Sequence, residues 1–458
     1  MTLAREPRPP RQGTEGTLLV PVCVLACVAV IPVGLAVTIE NYGYDIWGAF
    51  IWGPVLLLCC LPLCRWAARR TGDPDVVRFL MAAAVLKVIV GSVLRYASAQ
   101  AFYGALTDAA RYDNAGAELA PFFRRGVFED LGAISGTRFI EVVSGAVQAV
   151  IGDTRMGTFL VFSFFGFVGM VLLYVAFCQA LPEGNRRFFR LLLFLTPTIW
   201  YWPSSIGKEA IVLLCLGAAV LGAVQLFAGH ARGLLLGGLG AWGMTIIRPH
   251  MTLVLLAGLL VALPPLDRRT SGRGVGRFLL PLAVVVALPL VVGQVEKFFS
   301  IDSLNADSAE SVRVTVERQT GQGGSAFSVP DTQSPWGLVV GVVTVVSRPF
   351  PWEADGVTTA LSAVEIAALT LLFLRRALPN PTALVRSLRH RLPRLAAGYA
   401  LAFCVVFAAV GNFGILVRQR SLLLPMLFVI LAAAPRRPVA GDDPQPDATT
   451  TTEPVGVA

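Results

Sequence analysis

Long apolar stretches recur along the whole chain and leave little sequence between them. About a dozen approach the length that a helix needs to cross the hydrocarbon core of a bilayer. Only 15% of the 458 residues are charged, against about 25% in soluble proteins, and the mean hydropathy is +0.68. One soluble core cannot hide this much apolar surface, so the excess must face lipid. The pattern excludes a cytosolic enzyme, a secreted domain and a disordered scaffold, and it predicts an all-α polytopic transmembrane helical bundle.

The predicted spans follow from the apolar runs and from the arginines between them. They cover residues 18–38, 46–64, 79–94, 158–178, 191–202, 206–227, 234–247, 251–263, 278–292, 357–374, 395–410 and 422–434. With the basic N-terminus inside, every predicted inner loop carries Arg, as the positive-inside rule requires. The apolar run at 336–346 is too short to cross. The alternation gives about 12 crossings, within a range of about 11 to 13, in the plasma membrane with both termini cytoplasmic.

This topology divides the chain into three parts. Residues 1–17 are a basic cytoplasmic N-terminus, residues 18–434 are the transmembrane domain that would carry catalysis, and residues 435–458 are a tail predicted to be disordered. Two long loops, 95–157 and 293–356, are predicted on the outer face, and the first contains amphipathic stretches suited to the membrane surface.

Charge and cysteine content remove two further classes of function. The net charge is +9, and the positively charged residues lie between apolar runs. The orientation of the chain in the membrane accounts for such residues, so no nucleic-acid partner is expected. All eight cysteines lie in or beside apolar stretches. They are expected to be small buried hydrophobic residues rather than a disulfide framework.

The first outer loop carries acidic residues at a helical spacing. Asp108 and Tyr112 are four residues apart and share one face of a predicted helix, and Asp113 follows directly. A carboxylate at the boundary between water and lipid can act as general base on a hydroxyl group. The alternative for any single acid here is an ordinary solvated loop helix.

Lys208, Glu209, Arg248 and His250 are predicted at the same outer face. Lys208 and Glu209 open a predicted helix, and a pair of charges there is costly unless it meets water, a partner or an anionic ligand. Arg248 lies between two spans and suits bidentate contacts to phosphate. The alternatives are snorkelling of Lys208 at a helix end and a structural role for His250.

Two further pairs of charges fall in outer segments. Arg348 and Glu353 flank a rigid turn of prolines and aromatic residues, and Arg418 and Arg420 lie between the last two predicted spans. Outward arginines oppose the positive-inside tendency, so the last pair is predicted to bind a lipid phosphate or pyrophosphate. Pairing with an acid of the protein itself is the alternative.

The loop that begins at Asp108 and runs to the Gly136–Thr137 turn resembles the first luminal loop of GT-C superfamily glycosyltransferases. These polytopic enzymes take sugars from polyprenyl-phosphate carriers, and the resemblance covers about residues 100–260. It implies that an acid of this loop, Asp108 or Asp113, is the catalytic base, with Tyr112 beside it. Two extra predicted helices precede the loop, and four residues separate the two acids, whereas the family's acids are adjacent or one apart. The passage before Lys208 is similar to passages in GT-C enzymes and in bacterial polysaccharide polymerases.

The sequence therefore predicts an integral membrane glycosyltransferase on the extracytoplasmic face. It would move a sugar from a polyprenyl-phosphate carrier to a hydroxyl of a glycan or lipid acceptor. The predicted catalytic residues are Asp108 and Asp113, and the predicted substrate-binding residues are Tyr112, Lys208, Glu209, Arg248, His250, Arg348, Glu353, Arg418 and Arg420. No cluster has the ligand spacing of a transition-metal site, and a carboxylate-bound divalent cation stays open as a cofactor.

Two other functions are compatible with the same pattern. Wzy-type polysaccharide polymerases transfer a pyrophosphate-linked glycan. The Arg-x-Arg element formed by Arg418 and Arg420 resembles a passage of these polymerases, and so does the turn that Arg348 and Glu353 flank. A secondary transporter or a flippase for lipid-linked glycans is the third hypothesis. It is disfavoured because the acids cluster in predicted loops rather than near the bilayer midplane.

Overall fold

The computed structural model describes residues 43–263 and 276–433, apart from residues 103, 105, 106, 130, 322–324, 331–333, 355 and 380, together with five residues between 34 and 40. All regular secondary structure in these ranges is helical, with one isolated antiparallel bridge between Ala326 and Asn412. The predicted all-α class is confirmed. The N-terminal segment 1–17, nearly all of the predicted span 18–38 and the tail 435–458 lie outside the described residues.

The helices are numbered in chain order. They are α1 (Tyr44–Thr71), α2 (Val76–Phe102), α3 (Asp108–Arg124), α4 (Gly136–Ile151), α5 (Arg155–Ala180), α6 (Arg186–Leu195), α7 (Pro197–Tyr201), α8 (Lys208–Phe227), α9 (Arg232–Ile247), α10 (Pro249–Ala262), α11 (Gly276–Phe299), α12 (Ala306–Thr320), α13 (Pro335–Ser347), α14 (Val357–Ala377), α15 (Pro381–Ser387), α16 (Arg391–Phe407) and α17 (Phe413–Ala433). Seven of them, α1, α2, α5, α8, α11, α14 and α17, are long and apolar enough to cross a membrane. They indicate a membrane-embedded protein.

Each of the seven long helices overlaps a predicted span, and the structure does not confirm the larger count of about 12. The predicted spans 234–247 and 251–263 correspond to α9 and α10, which are apolar but only 16 and 14 residues long. The predicted span 191–202 is divided between α6 and α7. The break precedes Pro197, which has no N–H to continue the helix and restricts the residue before it.

Four helix boundaries differ from the predicted ends of the loops. The last helix begins at Phe413 rather than near residue 422, so Arg418 and Arg420 lie inside α17 and not in a loop. The first long loop is shorter than the predicted 95–157, because α2 continues to Phe102 and α5 begins at Arg155. Within the second, 293–356, α11 continues to Phe299.

The bundle has a buried centre and an exposed, apolar periphery. Within the most apolar part of each helix, 78% of α5, 72% of α8 and 78% of α17 are buried, compared with 11% of α14. Close approach of α5 and α8 depends on Gly169 and Gly217, because a Cβ atom on Gly217 would collide with the carbonyl oxygen of Gly169. Small residues serve this purpose at membrane helix interfaces, where lipid gives no hydrophobic driving force.

Helix α2 changes to a π-helical pitch over Val85–Gly91, and this stretch carries Lys87. The Lys87 side chain is fully buried, and its ammonium donates to the Pro203 carbonyl and to the Ser204 hydroxyl, each at 3.3 Å. Ser204 is in turn hydrogen-bonded to Ser163 of α5 at 2.8 Å. No carboxylate in the described ranges pairs with Lys87. The ammonium therefore joins α2 to the turn between α7 and α8.

The segment between α2 and α5 folds into the two helices α3 and α4, packed against each other at one end of the bundle. The Thr107 hydroxyl accepts a hydrogen bond from the Ala110 N–H at 3.1 Å and starts α3, as an N-cap residue should. Gly116 of α3 fits against Ser144 of α4, where a Cβ atom would come 2.8 Å from that side chain. This packing places the first turn of α3 beside the first turn of α4.

Two Gly→Ala substitutions test the packing of α8. Gly217→Ala is expected to lower the free energy of unfolding by about 1–3 kcal/mol, because the new methyl group meets the backbone of α5. Gly238→Ala on α9, where a Cβ atom would meet nothing within 4 Å, should be neutral or stabilising by up to about 1 kcal/mol, because Ala favours helix. Thermal unfolding in detergent measures both. Equal effects would show that α5 and α8 do not meet at these glycines.

Candidate functional site

Two arginines from distant parts of the chain approach the Glu209 carboxylate. Arg248 Nη2 donates to Glu209 Oε1 at 2.8 Å, and Arg418 Nε lies 3.1 Å from the same oxygen without hydrogen-bond alignment. Glu209 is the second residue of α8, Arg248 lies between α9 and α10, and Arg418 is in α17. The Glu209 side chain is only 8% exposed. A buried carboxylate needs such partners, because an unpaired charge is costly in apolar surroundings.

Gln419 completes the contacts around this carboxylate. Its Nε2 donates to Glu209 Oε1 at 3.2 Å, and its Oε1 accepts a hydrogen bond from Arg248. Gln419 was not among the predicted site residues, although it stands between two arginines in an otherwise apolar helix. That position is the signal that could have identified it.

Arg418 also reaches Asp108, the first residue of α3. Arg418 Nη1 donates to Asp108 Oδ2 at 3.2 Å, across 310 positions of sequence. The Asp108 side chain is 63% exposed, so one side of its carboxylate remains open to solvent. Tyr112 lies one turn further along α3 and is buried. Burial and then the negative charge of Asp108 raise the pKa of its hydroxyl.

Lys208 lies next to Glu209 at the start of α8. Its ammonium donates to the Thr137 hydroxyl at 3.0 Å, and this is its single described hydrogen bond. An ammonium group has three donors, so two remain for water or a ligand. Thr137 is the second residue of α4, so the packing of α4 against α3 brings the Thr137 hydroxyl to the site.

His250 lies at the edge of this site among aromatic rings. The ring centroids of Phe298, Phe299 and Phe407 are 5.8, 6.0 and 6.0 Å from the His250 centroid. Its Nδ1 is buried and has no hydrogen-bond partner among the described residues. The predicted role of His250 in substrate binding remains a prediction.

The structure thus gathers six residues that the sequence singled out, together with Gln419. We call this set the Glu209 cluster: Asp108, Tyr112, Lys208, Glu209, Arg248, Arg418 and Gln419. Its three cations exceed its two carboxylates by one. The cations can stabilise a developing negative charge, and the exposed carboxylate can accept a proton.

Asp113 lies outside the Glu209 cluster. Its carboxylate is paired with Arg155 at 2.5 Å, accepts a hydrogen bond from Gln148 at 2.7 Å, and is 2% exposed. Five residues along a helix correspond to a rotation of about 140°, so Asp113 points away from Asp108. Burial raises the pKa of Asp113 to about 6, although the nearby Arg155 opposes that rise. The Asp113 carboxylate joins α3 to α4 and α5 and is closed to an acceptor.

Arg348 and Glu353 pair with each other rather than with the Glu209 cluster. Arg348 Nε lies 2.9 and 3.1 Å from the two oxygens of Glu353, and the guanidinium lies over the Phe327 ring at 4.3 Å. Burial opposes ionisation of Glu353, but hydrogen bonds from Arg348 and from the Phe350 N–H outweigh it and lower the pKa. The two residues stabilise the turn between α13 and α14.

Arg420 is also outside the cluster, although it is only two residues from Arg418. Its guanidinium is fully buried and donates to the carbonyl oxygens of Val345, at 2.6 Å, and of Arg348. These carbonyls end α13, and a cation is favourable at the C-terminus of a helix. Residues two apart on a helix point in different directions, which is why the predicted pair separates.

Glu365, an acid inside the predicted span 357–374, was not among the predicted site residues. Glu365 is in α14, and its two oxygens accept hydrogen bonds from the Thr198 N–H at 2.9 Å and the Thr198 hydroxyl at 2.8 Å. The statement that the acids cluster in loops is therefore wrong for Glu365. A lone acid in the apolar run 357–374 was the available signal.

The substitution Glu209→Gln tests the centre of the cluster. It leaves Arg248 with no described carboxylate and Arg418 with Asp108 alone, so the free energy of unfolding is expected to fall by about 3 kcal/mol. Glu310→Gln, which opens the 2.6 Å pair with Arg313, should cost less than about 1 kcal/mol, because that pair is partly solvated. Thermal unfolding in detergent compares the two. A Glu209→Gln protein as stable as the parent would contradict the arrangement.

Within the described ranges, no three His, Cys, Asp or Glu side chains gather as a metal site requires. The Glu209 cluster combines an accessible carboxylate, a buried carboxylate, a buried phenol, an amide and three cations at one end of the bundle. No protein-family model, no curated protein and no solved structure matches the chain.

Proposed function

We propose that the protein is a membrane glycosyltransferase that moves a sugar from a polyprenyl-phosphate carrier to a hydroxyl acceptor, with the Glu209 cluster as its active centre. The observation that supports this most is the contact of Arg418 with both Asp108 and Glu209. It brings a solvent-accessible carboxylate to a group of cations at one end of the bundle. We assign this end to the extracytoplasmic face of the plasma membrane, with both termini in the cytoplasm.

In the proposed step, the Asp108 carboxylate acts on the acceptor hydroxyl and the cations act on the leaving phosphate. Asp108 accepts the proton of the acceptor hydroxyl, and the oxygen forms a bond to the anomeric carbon of the donor sugar. The bond between that carbon and the phosphate oxygen breaks on the opposite face, and its electron pair stays with the phosphate. Lys208, Arg248 and Arg418 stabilise the negative charge of the leaving phosphate. The anomeric configuration is inverted.

The choice of Asp108 as the base follows from exposure and contact. Asp108 has an open side and an arginine that holds its carboxylate in place. Asp113 is sealed by Arg155 and Gln148, so an acceptor hydroxyl cannot come within hydrogen-bond distance of it, which a general base requires. Tyr112 lies one turn from Asp108 and is buried, so contact of Tyr112 with a sugar remains a prediction.

The substitution Asp108→Asn tests the proposed base. The purified protein in nanodiscs is given a panel of polyprenyl-phosphate sugars and glycan acceptors, and product is measured. Asp108→Asn is expected to lower kcat by at least about 100-fold, the usual contribution of a general base. Glu118→Gln removes an exposed charge from the same helix and should leave the rate unchanged. Full activity of the Asp108→Asn protein would end the assignment.

The substitution Lys208→Met tests the phosphate side. It is expected to lower kcat/KM for the donor by about 100-fold, because a charge-stabilising donor near the leaving group is lost. Lys297→Met removes an exposed lysine from α11 and should change kcat/KM by less than about twofold. If both variants behave alike, Lys208 does not contact the donor phosphate.

The polymerase hypothesis requires the same chemistry with a pyrophosphate leaving group. Its resemblance depended on the Arg-x-Arg element, Arg418 and Arg420, and on the turn between Arg348 and Glu353. Arg420, Arg348 and Glu353 have protein partners outside the Glu209 cluster, and only Arg418 of these residues belongs to it. The monophosphate donor is therefore the first choice. Adding polyprenyl-pyrophosphate oligosaccharides to the donor panel separates the two functions, since a polymerase elongates only those.

A further inference from the structure

A second site lies on the lipid-facing side of the bundle, between α2, α14 and residues 191–202. This α2–α14 groove has a volume of about 830 Å³. Its walls include Leu94, Phe102, Leu361 and Val364, which are 47%, 62%, 67% and 66% exposed. In a membrane-embedded protein, large apolar side chains with this exposure face lipid. The groove is thus open along its length to hydrocarbon chains.

Two aromatic residues of the groove wall carry a cation, Arg95, which does not itself line the groove. Tyr201 and Trp202 line the groove, and the Arg95 guanidinium lies over their rings, 5.5 and 4.7 Å from the centroids. The Tyr201 hydroxyl is hydrogen-bonded to Ser98 at 2.6 Å, which fixes the ring below Arg95. Tyr and Trp concentrate at the level of the lipid head groups. Arg95 is therefore at head-group depth.

Arg95 lacks a counter-ion in the part of the chain that the structure describes. Its Nε is buried and makes no hydrogen bond, and no described carboxylate pairs with its guanidinium. The one acid among the residues that line the groove, Glu365, is hydrogen-bonded to Thr198 through both oxygens. An apolar groove and a cation with no described carboxylate partner thus lie side by side, with the rings of Tyr201 and Trp202 in contact with both.

We propose that the α2–α14 groove binds an anionic glycerophospholipid, with an acyl chain along the groove and the phosphate against Arg95. An arginine offers two parallel N–H donors to a phosphate, and basic pockets between membrane helices bind lipid head groups in this way. The lipid is distinct from the sugar donor, because Arg95 shares no described contact with the Glu209 cluster. The site therefore does not depend on the proposed function.

Native mass spectrometry of the full chain tests this site. The protein is titrated with phosphatidylglycerol and, separately, with phosphatidylcholine of the same acyl chains. Phosphatidylglycerol is expected to bind the parent protein more tightly, and Arg95→Gln should weaken it about fivefold, the effect of one arginine at a membrane surface. Leu361→Trp, which fills the groove from an exposed position, should lower the occupancy of both lipids. Arg125→Gln is the matched control, because Arg125 also lies over an aromatic ring, 5.1 Å from Phe122, but outside the groove.

Three outcomes would overturn the proposal. Equal affinity for the two lipids would remove the role of the head-group charge. Unchanged binding in both the Arg95→Gln and the Leu361→Trp proteins would remove the groove. Displacement of phosphatidylglycerol by an equimolar isoprenoid phosphate, lost on Arg95→Gln, would assign the groove to a donor-type carrier instead. None of these measurements uses turnover, so they stand apart from the tests of the glycosyltransferase.

Discussion

The Glu209 carboxylate is the point at which four parts of the chain meet: the start of α8, the junction of α9 with α10, the first turns of α17 and, through Arg418, the start of α3. A charge at this depth of an apolar bundle is poorly hydrated, so its free energy depends on the cations beside it. Arg248 has no other described carboxylate, and Arg418 shares Glu209 with Asp108. The position of Asp108 therefore follows from the pairing of Glu209. The packing of these helices and the charges of the Glu209 cluster therefore depend on each other.

Three consecutive residues of α17 connect this constraint to the rest of the bundle. Successive residues of a helix point about 100° apart, so Arg418, Gln419 and Arg420 reach different neighbours. Arg418 and Gln419 reach the Glu209 cluster, whereas Arg420 binds the carbonyl oxygens at the end of α13. The rotation of α17 about its axis is thereby fixed from two sides. Because α17 is held in this way, Arg418 stays in one position and can keep the Asp108 carboxylate of α3 in place without a rigid loop.

The sequence predicted the long helices well, because length and apolar character are local properties that a single stretch carries. It also placed Asp108 on a helix with Tyr112, since the period of a helix determines which residues share a face. It could not tell which of Asp108 and Asp113, or which of Arg418 and Arg420, faces the site, because that depends on how each helix is rotated against neighbours that are remote in sequence. Glu365 was visible as a lone acid, but its partner lies 167 positions earlier. The substrates and the chemistry remain proposals, because they depend on contacts between residues that are remote in sequence.

The buried Lys87 has a consequence for how the protein is made. Its hydrogen-bond acceptors lie 116 and 117 positions later in the chain, so α2 leaves the ribosome long before they exist. A lysine at the centre of a spanning helix costs about 2.5–3.5 kcal/mol during insertion. Until the turn before α8 has been synthesised, the ammonium can find hydrogen-bond acceptors only in water, in lipid head groups or in the nascent chain's other surroundings. Replacing Lys87 by an apolar residue would remove this cost from the insertion of α2, and it would also remove the link between α2 and the turn before α8.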